Sequence, residues 1–157
     1  MACEYDGLNR RIVKTHKSGD PDVTYDFYYD ADAPSGIDGS DWRVLEVRLD
    51  EDTDPYEQYV WDHRYVHSPA VRFRDSNTDG DYEDQDDDTL YYCNDANFNV
   101  TALVDTSGAV VERYVYDPYG KASIFDSSWS AVTWANSRKN IVLYTGHKLD
   151  IETDLYY

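Results

Sequence analysis

Cysteine, methionine and basic residues are all scarce in this sequence. Cysteine occurs twice, as Cys3 and Cys93, and neither has a partner at metal-ligand spacing. A disulfide-dense scaffold and a cysteine-based zinc module are thereby excluded; the two thiols could form one bridge, and read more simply as incidental. Methionine occurs once, as Met1, and leucine and alanine are sparse. No run of about 18 apolar residues is present, so no helix is long and apolar enough to cross a membrane. No apolar stretch follows Met1, so no export signal is expected in this sequence. Lysine and arginine number 14 against 32 aspartates and glutamates, giving a formal charge of −18 and a pI near 4.3. Such a chain repels phosphates, which argues against a nucleic-acid partner and suits one that takes cations. Helical periodicity is missing too: no long window repeats its apolar residues at the 3.6 spacing.

What is abundant is tyrosine, at 16 residues, together with valine, threonine and tryptophan, the residues of pleated sheets. The 157 residues suffice for one domain with a sizeable core. Alternation predicts strands at Thr24–Tyr29, Trp42–Leu49, Tyr56–Trp61, Ala70–Arg74, Thr89–Cys93, Asn97–Val104, Val110–Tyr116 and Ile141–Tyr144. In "RVLEVRL" the set Leu45, Val47, Leu49 alternates with Val44, Glu46, Arg48, the pattern of a half-buried strand. "NVTALVDTSGAVVERYVY" is the clearest hairpin, turned by Asp105-Thr106-Ser107-Gly108. Two stretches interrupt the strands: the Pro/Gly/Asp-rich loop of residues 30–41 and an acidic stretch at residues 75–88.

A tyrosine followed by aspartate and a turn recurs. It stands in "YDGLNRRIV" at Tyr5, in "YDPYGKASI" at Tyr116 and, more loosely, in "YCNDANFNVTAL" at Tyr92. Aspartate and asparagine cap the turn backbone, and glycine or asparagine accepts a positive φ. The tyrosine is expected at a strand end, its ring packed and its hydroxyl wet. Such repeats imply stacked supersecondary units.

These motifs resemble the RHS or YD-repeat proteins. "YDGLNRR" is similar to a YD repeat, "NDANFNVTALVDTSGAVVERYVYDPYGK" to the hallmark segment of the repeat-associated core, and "YTGHKLDIETDLYY" to the segment that follows it. The resemblance implies an all-β fold: a curved, spiralling antiparallel sheet of hairpins, part of a larger β-shell. The expected organisation is YD-repeat strands over residues 1–74, the acidic loop over 75–88 and the core segment over 89–157. The family's shell encloses a C-terminal toxin, or forms part of a surface or adhesion protein. The resemblance therefore implies a non-catalytic structural role, outside the cell or at its surface. The implied partners are the remainder of the same shell and a C-terminal cargo domain, without nucleic acid. A cell-surface binding module contacting glycans or a receptor is the alternative. The family core continues beyond the tyrosine pair that ends this sequence, and Tyr5-Asp6 arrives almost at once. The expectation is a fragment whose self-cleavage segment, cargo and first strand are missing.

One ligand site can be read from spacing alone. Asp75, Asn77, Asp79 and Gly80 fit D-x-[DN]-x-[DN]-G, in which alternate oxygens converge on calcium while glycine makes the sharp turn. The expected ligands are Asp75, Asn77, Asp79, the Asp81 carbonyl and Asp86, the last where a bidentate glutamate is usual. The flanks read as strands, so the loop is no EF-hand, and the competing reading is a solvated acidic linker. No catalytic set emerges. His63 and His67 would lie about 13 Å apart on a strand, too far to share a metal. Asn99-Val100-Thr101 matches a glycosylation sequon but falls in an expected strand.

Overall fold

The computed structural model describes residues 1–17, 22–30, 42–82 and 87–157. Residues 31–41 of the expected loop insertion, and Asp86 of the expected calcium ligands, lie outside the described residues.

Among the described residues there is no α-helix, and strands follow one another almost without interruption. They are β1 (Ala2–Tyr5), β2 (Arg11–His16), β3 (Val23–Tyr29), β4 (Val44–Leu49), β5 (Glu57–Trp61) and β6 (Pro69–Arg74). After the acidic stretch come β7 (Asp88–Asn94), β8 (Val100–Val104), β9 (Val110–Tyr116) and β10 (Ala122–Phe125). Two short strands, β11 (Leu149–Asp150) and β12 (Leu155–Tyr156), form a separate pair. The order within the large sheet is the order of the sequence, β1 through β10. This is the topology that short turns between successive strands impose. The chain divides into two compact units, one of residues 1–60 with 72–88, the other of residues 61–71 with 89–157.

In the first unit Phe27, Val44, Val47 and Tyr59 are buried. Val44 and Val47 are three apart, so the simple alternation expected of "RVLEVRL" does not hold. The cause is a bulge: Tyr28 pairs with Glu46, but Tyr29 pairs with Val44, leaving Leu45 without an opposite residue. The extra residue flips the face. Val44 goes inside and Leu45, expected on the same face as Val47, is 40% exposed. β1 overturns a second expectation. The strand thought missing before the first turn is present and pairs with β2 from Ala2↔Thr15 to Tyr5↔Arg11.

In the second unit Leu90, Val100, Leu103, Val142 and Leu143 are fully buried. Each such side chain removed from water contributes about 1.5–3 kcal/mol. The strand expected at Ile141–Tyr144 does not form; Val142 makes a single bridge, to Lys148. The Asn140 side chain explains this. Its oxygen accepts the Val142 amide at 3.2 Å and its nitrogen donates to the Val142 carbonyl at 2.8 Å. Those backbone groups are then unavailable to a ladder. The chain next turns through a short 3-10 segment, Tyr144–Gly146, in which Thr145 and Gly146 have φ of 48° and 71°.

Candidate functional site

Among the described residues, five turns share one construction. In those opened by Asp6, Asp95, Asp105, Asp117 and Asp126, the carboxylate Oδ1 accepts the amides of the residues two and four positions on. The aspartate amide donates to the carbonyl four residues on, and the aspartate carbonyl accepts from the amide three residues on. That third residue is always left-handed: Asn9, Phe98, Gly108, Gly120 and Trp129 have φ between 59° and 89°. Only two of the five are glycines, so three L side chains hold a conformation they disfavour. The aspartate cap and the flanking ladder enforce it. The Asp126 turn was not among the motifs read from the sequence, because tryptophan stands where glycine or asparagine is the usual signal. Hydrogen bonds from the Ser107 hydroxyl and from turn amides hold the Asp105 carboxyl below the ordinary carboxylate range. Burial raises Asp95, but hydrogen bonds from Asn99 and Asn97 outweigh it and lower the group overall.

The tyrosine before the Asp117 turn does more than pack, and so does Tyr29 on β3. Tyr116, expected to keep its hydroxyl wet, instead donates to the Val100 carbonyl at 2.6 Å, and burial raises its pKa above the usual phenol range. Tyr29 likewise straps the Arg11 carbonyl at 2.9 Å and is pushed up to about 12, chiefly by burial. Hydrogen bonding across strands is the reason: a half-buried phenol needs a partner, and the nearest acceptor is backbone.

The sheet also carries a repeat distinct from the tyrosine–aspartate turns. "EQYVWD" at residues 57–62 and "ERYVYD" at residues 112–117 share glutamate, tyrosine, valine, an aromatic and an aspartate at the same spacing. In each the tyrosine hydroxyl donates to the glutamate carboxylate, Tyr59 to Glu57 at 2.7 Å and Tyr114 to Glu112. All four side chains are buried. Around Glu57 stand Arg72 and Arg74, at 3.8 and 3.7 Å, and Asp88 lies 3.8 Å from the other nitrogen of Arg72. Glu112 takes the Arg138 amide at 3.0 Å instead. The signal was a six-residue self-similarity of period 55, counted from Glu57 to Glu112.

In the acidic loop, Asp75 is buried and its two oxygens accept the Thr78 amide and, at 2.9 Å, the Gly80 amide. Gly80 takes the left-handed φ of 92° that the motif expects. Asn77 and Asp79 hydrogen-bond one another, and Asp79 accepts the Asp81 amide at 3.2 Å. Asp54, which no motif pointed to, lies beside the loop; a Cβ on Gly80 would come 3.1 Å from its Oδ2. Among the described residues, no three His, Cys, Asp or Glu side chains gather as metal ligands. The histidines fall elsewhere. The rings of His67 and His147 touch with centroids 4.4 Å apart and planes tilted by 39°, and a Cβ on Gly146 would meet the His67 carbonyl at 1.6 Å. Asn99 of the sequon is committed to Asp95 and to the Thr145 amide.

No protein-family model matches the sequence, and no curated protein matches it. Among solved structures, "Crystal Structure of TcdB2-TccC3-TEV" aligns over 99% of this chain with a TM-score of 0.59 at 18% identity. The chain shares its fold with a part of that protein. It spans 7% of the length of the TcdB2-TccC3-TEV chain. Structures titled TcdB2-TccC3 and TcdB2-TccC3-Cdc42 align with TM-scores of 0.47 and 0.48, both at 14% identity. The all-β expectation and the resemblance drawn from the YD motifs therefore agree with the observed fold.

Proposed function

We propose that this chain is one strip of a YD-repeat shell that encloses or presents a C-terminal toxin or effector. Its work is mechanical. Repeated aspartate-capped turns hold successive strands at short, fixed spacing, and each strand satisfies its neighbour's backbone, which is how a continuous wall is made. The observation that carries the reading is the shared fold with a short part of TcdB2-TccC3-TEV, found together with the five like turns. The use of side chains among the described residues supports a non-catalytic role: the turn aspartates cap backbone, and Tyr29 and Tyr116 strap neighbouring strands. The partners are the rest of the same shell and its cargo, and the site of action is outside the cell or at its surface. Protease protection tests it. In the complete gene product, a cargo domain beyond this strip resists proteolysis until the shell is opened. Cargo cleaved as fast in the intact product as when expressed alone would end the reading.

A further inference from the structure

The second unit contains a cleft of about 450 Å³ that none of the functions above uses. That volume lies within the roughly 300–1,000 Å³ of small-molecule sites. Phe125, Trp134, Leu149 and Ile151 supply apolar and aromatic wall, and Ser123 and Asp154 supply polar atoms. Asp154 is the charged side chain in the lining, and no basic side chain lines it among the described residues. Asp154 stands at the exposed rim of the cleft, with its backbone in the left-handed region at φ 56° and its amide donating to the Asp150 carbonyl at 2.8 Å.

We propose that this cleft binds a small organic ammonium with a flat apolar body. An apolar body suits the Phe125, Leu149 and Ile151 walls, and an ammonium suits Asp154. An acid of the same shape would meet Asp154 and a chain of net charge −18. Aromatic faces here already hold cations. Lys139 places its ammonium 5.8 Å from the Trp134 ring centroid, and Arg113 lies 5.0 Å from that of Trp129. Lys139 does not itself line the cleft; its ammonium is held by the Trp134 and Ala135 carbonyls at 2.7 and 2.6 Å. The inference does not rest on the shell reading.

The probe is 2-phenylethylamine, with 2-phenylethanol and 3-phenylpropanoate as neutral and anionic controls of similar shape. Binding is read from the Trp134 indole N–H resonance, assigned by its loss in Trp134→Phe. The amine moves that resonance saturably, the alcohol binds more weakly and the acid least. Asp154→Asn weakens the amine about fivefold, the size of a rim charge pair, and leaves the alcohol unchanged. Ala131→Phe, at an exposed lining position, fills the cleft and abolishes binding of both while the remaining amide spectrum stays native. Equal binding of amine and acid, an Asp154→Asn variant with unaltered amine affinity, or a resonance that no probe moves would each overturn the proposal.

Discussion

The Tyr59 hydroxyl donates a 2.7 Å hydrogen bond to the Glu57 carboxylate two residues earlier on the same face of β5, and both side chains are buried. The same relation recurs between Tyr114 and Glu112 on β9. A carboxylate taken out of water must be hydrogen-bonded or paired, and the phenol supplies that partner locally. Removing it leaves the charge short of a donor. Tyr59→Phe and Tyr114→Phe are each expected to lower stability by about 1–3 kcal/mol, measured by urea unfolding. Phenylalanine variants as stable as the parent would show that the pairs are incidental.

Arg72 is fully buried, with Glu57 and Asp88 as its anions. Breaking such a group from one side strands a charge, so Glu57→Ala should cost about 3–5 kcal/mol. Replacing Glu57 and Arg72 together by leucine and methionine should recover part of that loss, because Asp88 and Arg74 each lose one of their partners in the double variant. A double variant worse than the single one would contradict this.

Two glycines with positive φ should respond very differently to alanine. At Gly108 a Cβ meets nothing within 4 Å, so Gly108→Ala pays only the left-handed strain of about 1–2 kcal/mol. At Gly146 the Cβ would lie 1.6 Å from the His67 carbonyl, so the chain cannot keep this packing. Gly146→Ala should lose the native circular dichroism spectrum or melt far below Gly108→Ala; similar melting curves would refute the contrast.

Alkaline pH should unfold the chain cooperatively. Tyr29, Tyr82 and Tyr156 are pushed up to about 12, and Tyr114 and Tyr116 are raised further, with burial the largest cause in each. A folded pKa above the unfolded value near 10 means that stability is fully present below pH 10 and is lost as pH rises through the folded values. Tyrosinate absorbance should therefore lag at pH 10–11 and then rise together with loss of the β spectrum. Smooth titration near pH 10 with the fold retained would contradict the buried straps.

We propose that the loop from Asp75 binds calcium weakly, with Kd on the order of 10⁻⁴ to 10⁻³ M. Asp75→Asn is a poor test, because that carboxylate also caps the Thr78 and Gly80 amides. Asp79→Asn keeps the cap and removes a ligand charge. Calorimetry should show heat with calcium, less with magnesium, and a clear loss in Asp79→Asn. No heat at millimolar calcium would leave the loop a solvated acidic linker.

Local chemistry by itself determined much of this protein. The strand at Val110–Tyr116 and the turns at Asp6, Asp95, Asp105 and Asp117 are legible because alternation and aspartate caps act within a few residues. The acidic motif is legible for the same reason, down to the positive φ of Gly80. Other features were settled only by tertiary structure. Leu45 faces outward because the neighbouring strand skips it at a bulge. Residues 141–144 look like a strand, yet the Asn140 side chain, itself held by the Tyr92 hydroxyl at 2.9 Å, takes over the Val142 backbone. His67 and His147, far apart in sequence, are brought into ring contact by the close approach that Gly146 permits. Asp126 turns around Trp129, which no local propensity would choose. In each case the deciding partner comes from a distant segment or outweighs a local preference, and spacing along one strand cannot encode that.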